Sequence, residues 1–325
     1  MMNIIGHRAP RLRSASWNSA RGADDNSMLK SLPSFIFAQD KSLTPHIMTT
    51  FTFGTVGSPI STPKKPGGSV GSILHSASLN MFAYELAWVQ SVRVTEATCA
   101  LIKEAAAAAG VGLSIHAPYY INLNAEADEW PKSRKRLMDA AHYGNLAGAT
   151  DIIFHPGSYF QRDPVEVLKI AIPRLKNCLK ELRDAGNKVT IRPEVMGKGA
   201  MLGSLDDTVE MSMQIDGVLP CIDFAHLHAR EGKMNSYDEW NAVLKMLKKK
   251  LGADSLKKLH IHLSGIEYGE KGEKNHLEFK KADLKYKDLL KALHDNNCGG
   301  RILCESPIME EDAKLLMKTW NKIAK

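Results

Sequence analysis

Residues 151–155 read DIIFH. The run is too short for a helix and apolar enough for a strand covered on both faces. It ends on a histidine. Similar runs lie on either side: GLSIH at 112–116 and KVTIRPE at 188–194. Farther out come FTFGTV at 51–56, MFAYELA at 81–87, VLPCID at 218–223, KLHIHL at 258–263 and GRILCE at 300–305. That makes eight candidate strands.

Helical patterns separate them. Trp240, Val243, Leu244, Leu247 and Leu251 form one apolar stripe, and Ala313, Leu316, Met317 and Trp320 repeat that spacing. Ser204 and Asp207 read as an acidic capping box opening a helix over 205–216. Asp163-Pro164 reads as an N-cap with proline at the first helical position. Pro173 falls within that helix and predicts a kink. Eight strands alternating with eight helices imply an all-parallel sheet. The even repeat favours closure into a (β/α)8 TIM barrel, a single catalytic domain over 49–325.

Composition is consistent with this. The chain has 325 residues, 44% hydrophobic and 24% charged, which excludes a collagen, a coiled coil or wholesale disorder. No apolar run is long enough to span a membrane. The net charge of +7 permits a polyanionic partner. Five cysteines without a C-x-x-C motif argue against a disulfide framework or zinc ribbon and fit a reducing compartment. Residues 1–48 differ, with six basic and three acidic residues and no sustained period. They read as a disordered basic arm, a transit peptide, or sequence upstream of a true start at Met48.

The chemistry emerges from strand register. His116, His155, Glu194, Asp223 and Glu305 end five strands, His262 lies near the end of another, and His226 follows Asp223 by three residues. A barrel gathers the C-terminal ends of its strands at one mouth, so residues about 190 positions apart in the sequence should share one pocket. Any one of them alone reads as a core histidine, a helix cap or a salt-bridge partner. Together, buried imidazoles and carboxylates without partners are costly, roughly 2–7 kcal/mol even for a neutral polar group. A divalent cation removes that cost. The mixed donor set favours zinc, with manganese or iron next.

From about Phe53 to Trp320 the chain resembles endonuclease IV, the zinc-dependent apurinic/apyrimidinic endonucleases of the xylose-isomerase-like barrels, and its archaeal branch most. The matching segments are HAPYYINL (116–123), FHPGSY (154–159), IRPE (191–194), CIDFAH (221–226), HIHLSGIEYGEKGEKNH (260–276) and ILCESP (302–307). The resemblance implies three zinc ions. His116 and His155 would hold the first, with Glu194 bridging to the second. Asp223, His262 and Glu305 would complete the second, and His226 and His276 would hold the third. The family's further third-site ligand is an aspartate two residues before the second histidine. That position is Lys274 here, which leaves open substitution by Glu273, a weak third site or a different mode of binding. Tyr119 and Asn122 match positions near the damaged nucleotide.

The implied activity is hydrolysis of the DNA backbone 5′ to an abasic site in base excision repair, leaving a 3′-hydroxyl and a 5′-deoxyribose phosphate. Glu194 or Glu305 would orient the attacking water or take its proton. Lys64, Lys65, Arg93, Lys198, Arg230, Lys233 and Lys271 fall in loops after strands and are candidate phosphate contacts on double-stranded DNA. A monomer in the cytoplasm, associated with the nucleoid, is expected, with organelle targeting by 1–48 left open. Two rival readings are a sugar isomerase or epimerase on the same barrel and a non-catalytic binder of abasic DNA. The first calls for a more carboxylate-rich mouth, often with a strand-end lysine, and the second is raised by Lys274.

Overall fold

The computed structural model describes residues 51–325 except Lys233. The expectations about 1–48 and about Lys233 lie outside the described residues.

Eight parallel strands form one sheet: β1 (Phe51–Val56), β2 (Ala83–Ala87), β3 (Gly112–His116), β4 (Asp151–Phe154), β5 (Thr190–Pro193), β6 (Cys221–Asp223), β7 (Leu259–Leu263) and β10 (Gly300–Cys304). Their order is β5-β4-β3-β2-β1-β10-β7-β6. Two parallel bridges, Ile191 to Val218 and Glu194 to Cys221, join the outer strands β5 and β6 and close the barrel. The Val195 amide donates to Cys221 O at 3.0 Å across that seam. β6 starts three residues later than the sequence suggests. Pro220 just before it has no N–H for the ladder.

The barrel is ringed by α1 (Gly68–Ser78), α2 (Glu96–Ala109), α3 (Trp130–Leu146), α4 (Pro164–Asp184), α5 (Leu205–Gln214), α7 (Tyr237–Leu251), α8 (Tyr286–Asp295) and α9 (Glu310–Ile323). The expected local signals are present. Ser204 and Asp207 form the reciprocal capping box of α5, and Asp163 accepts from the Val165 and Glu166 amides at the start of α4. α4 continues through Pro173 to Asp184. On α7, Trp240, Val243, Leu244 and Leu247 are buried, each aliphatic one stabilising the shell by roughly 1.5–3 kcal/mol relative to exposure. Trp240 meets Phe224 edge-on at 5.5 Å, and Trp320 meets Phe51 at 5.1 Å. α3 lies so close to the sheet that a Cβ at Gly144 would come within 2.6 Å of Ile152 Cδ1.

Two elements go beyond the eightfold reading. α6 (Phe224–Glu231) starts directly at the end of β6, capped by Asp223. An antiparallel hairpin, β8 (Gly265–Gly269) and β9 (Gly272–Leu277), rises from the end of β7.

The barrel interior is layered because strand side chains alternate. The lower layer holds Asp151, Arg192 and Arg301. Arg192 Nε donates to Asp151 Oδ1 at 2.5 Å, and Arg301 NH1 lies 3.2 Å from Oδ2. Arg192 also donates to Pro220 O and Lys258 O, and Arg301 to Leu113 O. One ion-pair network therefore ties together β3, β4, β5 and β10 and the residues just before β6 and β7. Burial opposes charge on Asp151, but Arg192 and Arg301 override it and hold the carboxyl well below its usual range.

Candidate metal centre

The upper layer holds the strand-end residues. His116 Nδ1 faces Ala117 O at 3.0 Å. A carbonyl only accepts, so the proton sits on Nδ1 and the Nε2 lone pair is free. That Nε2 lies 3.2 Å from Glu194 Oε2, and His155 Nε2 lies 3.3 Å from the same oxygen. His116, His155 and Glu194 thus form one converging donor set.

Glu194 Oε1 faces the other way, 3.3 Å from His262 Nδ1. Glu305 Oε1 is 3.6 Å from that nitrogen. Glu194, Asp223, His262 and Glu305 form a second converging set, sharing Glu194 with the first. Asp223 does two jobs: Oδ1 caps α6 by accepting from the His226 amide at 2.7 Å, and Oδ2 remains available.

The third set, Asp223, His226 and His276, lies under the hairpin, with Glu273 beside it. His226 Nδ1 donates to Val195 O and His276 Nδ1 donates to Glu305 O, both at 3.1 Å. Their Nε2 atoms face each other at 3.2 Å. Glu273 Oε2 lies 3.2 Å from His226 Nε2 and accepts from the Gly197 amide at 2.9 Å. Lys274 points outward toward Glu267, 3.6 Å away. The hairpin pairs Glu267 with Asn275 but Tyr268 with Glu273, so Lys274 is the extra residue of a bulge. The bulge resets the strand's alternation and puts Glu273 on the side of His276.

The donor atoms fit divalent cations. Glu194 Oε2, Asp223 Oδ2 and Glu305 Oε2 are buried without a hydrogen-bond partner, and several imidazole lone pairs point at the same places. The electrostatics agree. Burial, with Glu305 and Glu194 nearby, pushes the Asp223 carboxyl well above its usual range. Burial also opposes charge on Glu194, but His262 and His155 hold it well below. Burial disfavours charge on His226, yet Asp223 and Glu273 push its pKa well up. Such opposed shifts mark a cluster of like and unlike charges in little solvent.

Tyr119 completes the rim. Its ring stacks on His155 at 5.0 Å and meets His116 edge-on at 5.4 Å. Burial, followed by Glu305 and Glu194, raises its phenol far above the ordinary value. Asn122 is tied up locally: its Oδ1 accepts from the Asn124 amide at 2.8 Å and the Ser158 amide at 3.4 Å. It binds the loops after β3 and β4 together. Lys64, Lys65, Arg93, Lys198 and Lys271 are exposed. Arg230 is engaged with main-chain oxygens of Met196, Lys198 and Met201 and with Tyr159 Oη, so its guanidinium braces the loop after β5.

Glu85 on β2 and His260 on β7 have no role in the sequence reading. Both are fully buried just under the donor sets. A charged residue in the middle of the apolar run MFAYELA was the available signal for Glu85.

Residues 75–323 match the xylose isomerase-like TIM barrel family. The chain belongs to that family. An uncharacterized protein of Methanocaldococcus jannaschii is 37% identical over 273 residues, 83% of this chain and 97% of the relative. A probable endonuclease 4 of Oceanobacillus iheyensis is 29% identical over 164 residues, spanning 48% of this chain and only 52% of the relative. Among solved structures, endonuclease IV from Thermus thermophilus superposes with a TM-score of 0.63 at 22% identity, covering 84% of this chain and 98% of that one. A D-tagatose 3-epimerase-like protein gives 0.62 at 18% over the same shares. At those identities the structural likeness speaks to the barrel alone. No helix among the described residues is long and apolar enough to cross a membrane.

Proposed function

We propose that this protein is a metal-dependent apurinic/apyrimidinic endonuclease that hydrolyses the phosphodiester 5′ to an abasic site in double-stranded DNA. One observation supports this above the others: three adjoining donor sets, the first and second sharing Glu194 and the second and third sharing Asp223, open at a single barrel mouth. A ketose epimerase needs one cation to polarise neighbouring hydroxyl and carbonyl oxygens and acid/base groups to move a proton at carbon. A chain of three sites suits a phosphodiester, whose attacking water, non-bridging oxygens and leaving oxygen each need charge compensation. The similarity to endonuclease 4 relatives over about half of the chain supports the same reading.

His116, His155 and Glu194 would hold one zinc. Glu194, Asp223, His262 and Glu305 would hold a second, and His226 and His276, with Asp223 and Glu273, a third. Manganese suits the same donors less well. Bound there, zinc supplies Lewis-acid charge for phosphate oxygens and lowers the pKa of water toward neutrality. The chain's own groups do the rest. Glu305, at the open side of the cluster, is placed to accept the proton of the attacking water. Glu194 holds the first two sites at a fixed spacing. Tyr119, kept as a neutral phenol, can donate to an oxygen of the bound strand. The exposed lysines and Arg93 supply charge that draws in the DNA backbone.

The test is a nicking assay on duplex carrying one abasic site, before and after chelation and after zinc is returned, with ketohexose epimerisation measured in parallel. Zinc-restored nicking with 3′-hydroxyl ends is expected, and Glu194→Gln should abolish it while leaving the circular dichroism spectrum unchanged. Epimerisation without nicking would overturn the proposal in favour of a sugar enzyme. Tight binding to abasic duplex without nicking, at full zinc occupancy, would overturn it in favour of a binder.

A further inference from the structure

Glu85 sits in the middle of β2, opposite Ser114 on β3, with no solvent exposure. Its Oε2 accepts from Ser114 Oγ at 2.7 Å and from His260 Nε2 at 2.9 Å. Its Oε1 lies 3.0 Å from His262 Nε2, a close charge contact without hydrogen-bond alignment, and neither atom has a hydrogen-bond partner elsewhere. The same His262 presents Nδ1 to Glu194 and Glu305. One ring thus has a carboxylate at each end; Glu85 also converges with His116 and His262, but its Oε2 is already taken by Ser114 and His260.

A neutral imidazole carries one proton, and a metal takes the nitrogen without it. With Glu85 at Nε2, the proton belongs there and the Nδ1 lone pair is directed into the second donor set. His260 secures the arrangement from below. Its Nε2 lies 2.9 Å from Glu85 Oε2, and a carboxylate there accepts its proton. Ser114 adds a third donor to the same carboxylate.

We infer that Glu85 is a positioning residue for the second metal site, orienting His262 and fixing its tautomer through the Nε2 contact, with Ser114 and His260 holding Glu85 in turn. The inference rests on the reading that Glu194, Asp223, His262 and Glu305 take a divalent cation. Carboxylates behind metal-bound histidines generally set ring orientation and ligand basicity, and losing one costs about 10–100-fold in metal affinity.

The experiment uses the full chain, stripped of metal and titrated with zinc against a chromophoric chelator. Cobalt(II) titration follows the visible absorption of each site. In Glu85→Gln, one equivalent of zinc should bind about 10–100-fold more weakly while the others keep their affinity, and the cobalt band of that site should shift. Ser114→Ala removes one support without changing charge and should weaken the same equivalent by a smaller factor. A merely structural Glu85 would change the thermal unfolding of the metal-free chain and leave zinc affinity and the cobalt band alone. That result overturns the inference, as does unchanged zinc affinity in Ser114→Ala and His260→Gln should Glu85→Gln fail to fold. An unmodified protein that takes zinc with these dependences yet leaves abasic DNA intact sinks the proposed function and leaves Glu85 in its role. One that takes no zinc sinks both.

Discussion

The Nε2 atoms of His226 and His276 stand 3.2 Å apart, and each ring has committed its Nδ1 proton to a main-chain carbonyl. In the neutral rings two nitrogen lone pairs therefore confront each other. Either a proton or a cation must lie between them, and Glu273 Oε2, 3.2 Å from His226 Nε2, supplies the negative charge that welcomes either. The bulge at Lys274 makes this possible. A regular strand would turn residues 274 and 276 to one face, whereas the extra residue turns Glu273 inward beside His276.

That geometry predicts which residue matters at the third site. Glu273→Gln should lower zinc from three ions per chain to two, while Lys274→Ala should leave it at three. Elemental analysis of the gel-filtered protein checks both. A third ion that survives Glu273→Gln but vanishes in Lys274→Ala would mean the hairpin register is wrong.

The period of two explains how much of the site could be read from the chain. Strand-end histidines and acids marked the upper layer, and counting back two residues from each leads to the layer beneath: Ser114 below His116, Arg192 below Glu194, Cys221 below Asp223, His260 below His262. Glu85 escaped that rule because no ligand stands above it on β2, where the residue two further on is Ala87. The eight parallel strands were legible because buried parallel strands are short apolar runs. The hairpin was not. GIEYGEKGEKNH is polar and glycine-rich, and its pairing depends on a bulge that no alternation pattern announces. Arg230 illustrates a different limit. A loop arginine reads as a phosphate contact until the main-chain oxygens that surround it are known.

The buried ion network at the foot of the barrel predicts a pH-dependent stability. Asp151 Oδ1 and Oδ2 face Arg192 and Arg301. Its carboxyl is held well below the usual range, so its contribution is fully present above the unfolded value, near pH 4, and is lost as pH falls through the lower folded value. Asp151→Asn should destabilise the metal-free protein by about 3–5 kcal/mol at pH 7, the cost of leaving buried guanidinium groups unpaired. The gap between variant and unmodified protein should begin to narrow as pH falls below about 4 and narrow further in stronger acid. Urea unfolding at pH 7 and pH 3 measures it, and a difference unchanged between those two conditions would mean the pair contributes nothing through its charge.

Lys271 lies at the turn of the hairpin that carries Glu273 and His276, exposed and without an acidic partner among the described residues. If the hairpin approaches the backbone of bound DNA, Lys271 neutralises one phosphate and displaces one counterion. Lys271→Glu should then weaken binding to abasic duplex at 50 mM salt and flatten the plot of log affinity against log salt by about one unit of slope. Zinc content should not change, because Lys271 touches none of the donor atoms. The measurement is fluorescence anisotropy with chelator-free and zinc-loaded protein over a salt series. A variant with weaker binding but the original slope would place Lys271 away from the phosphates and move the DNA path toward the loops after β1 and β2, where Lys64, Lys65 and Arg93 are exposed.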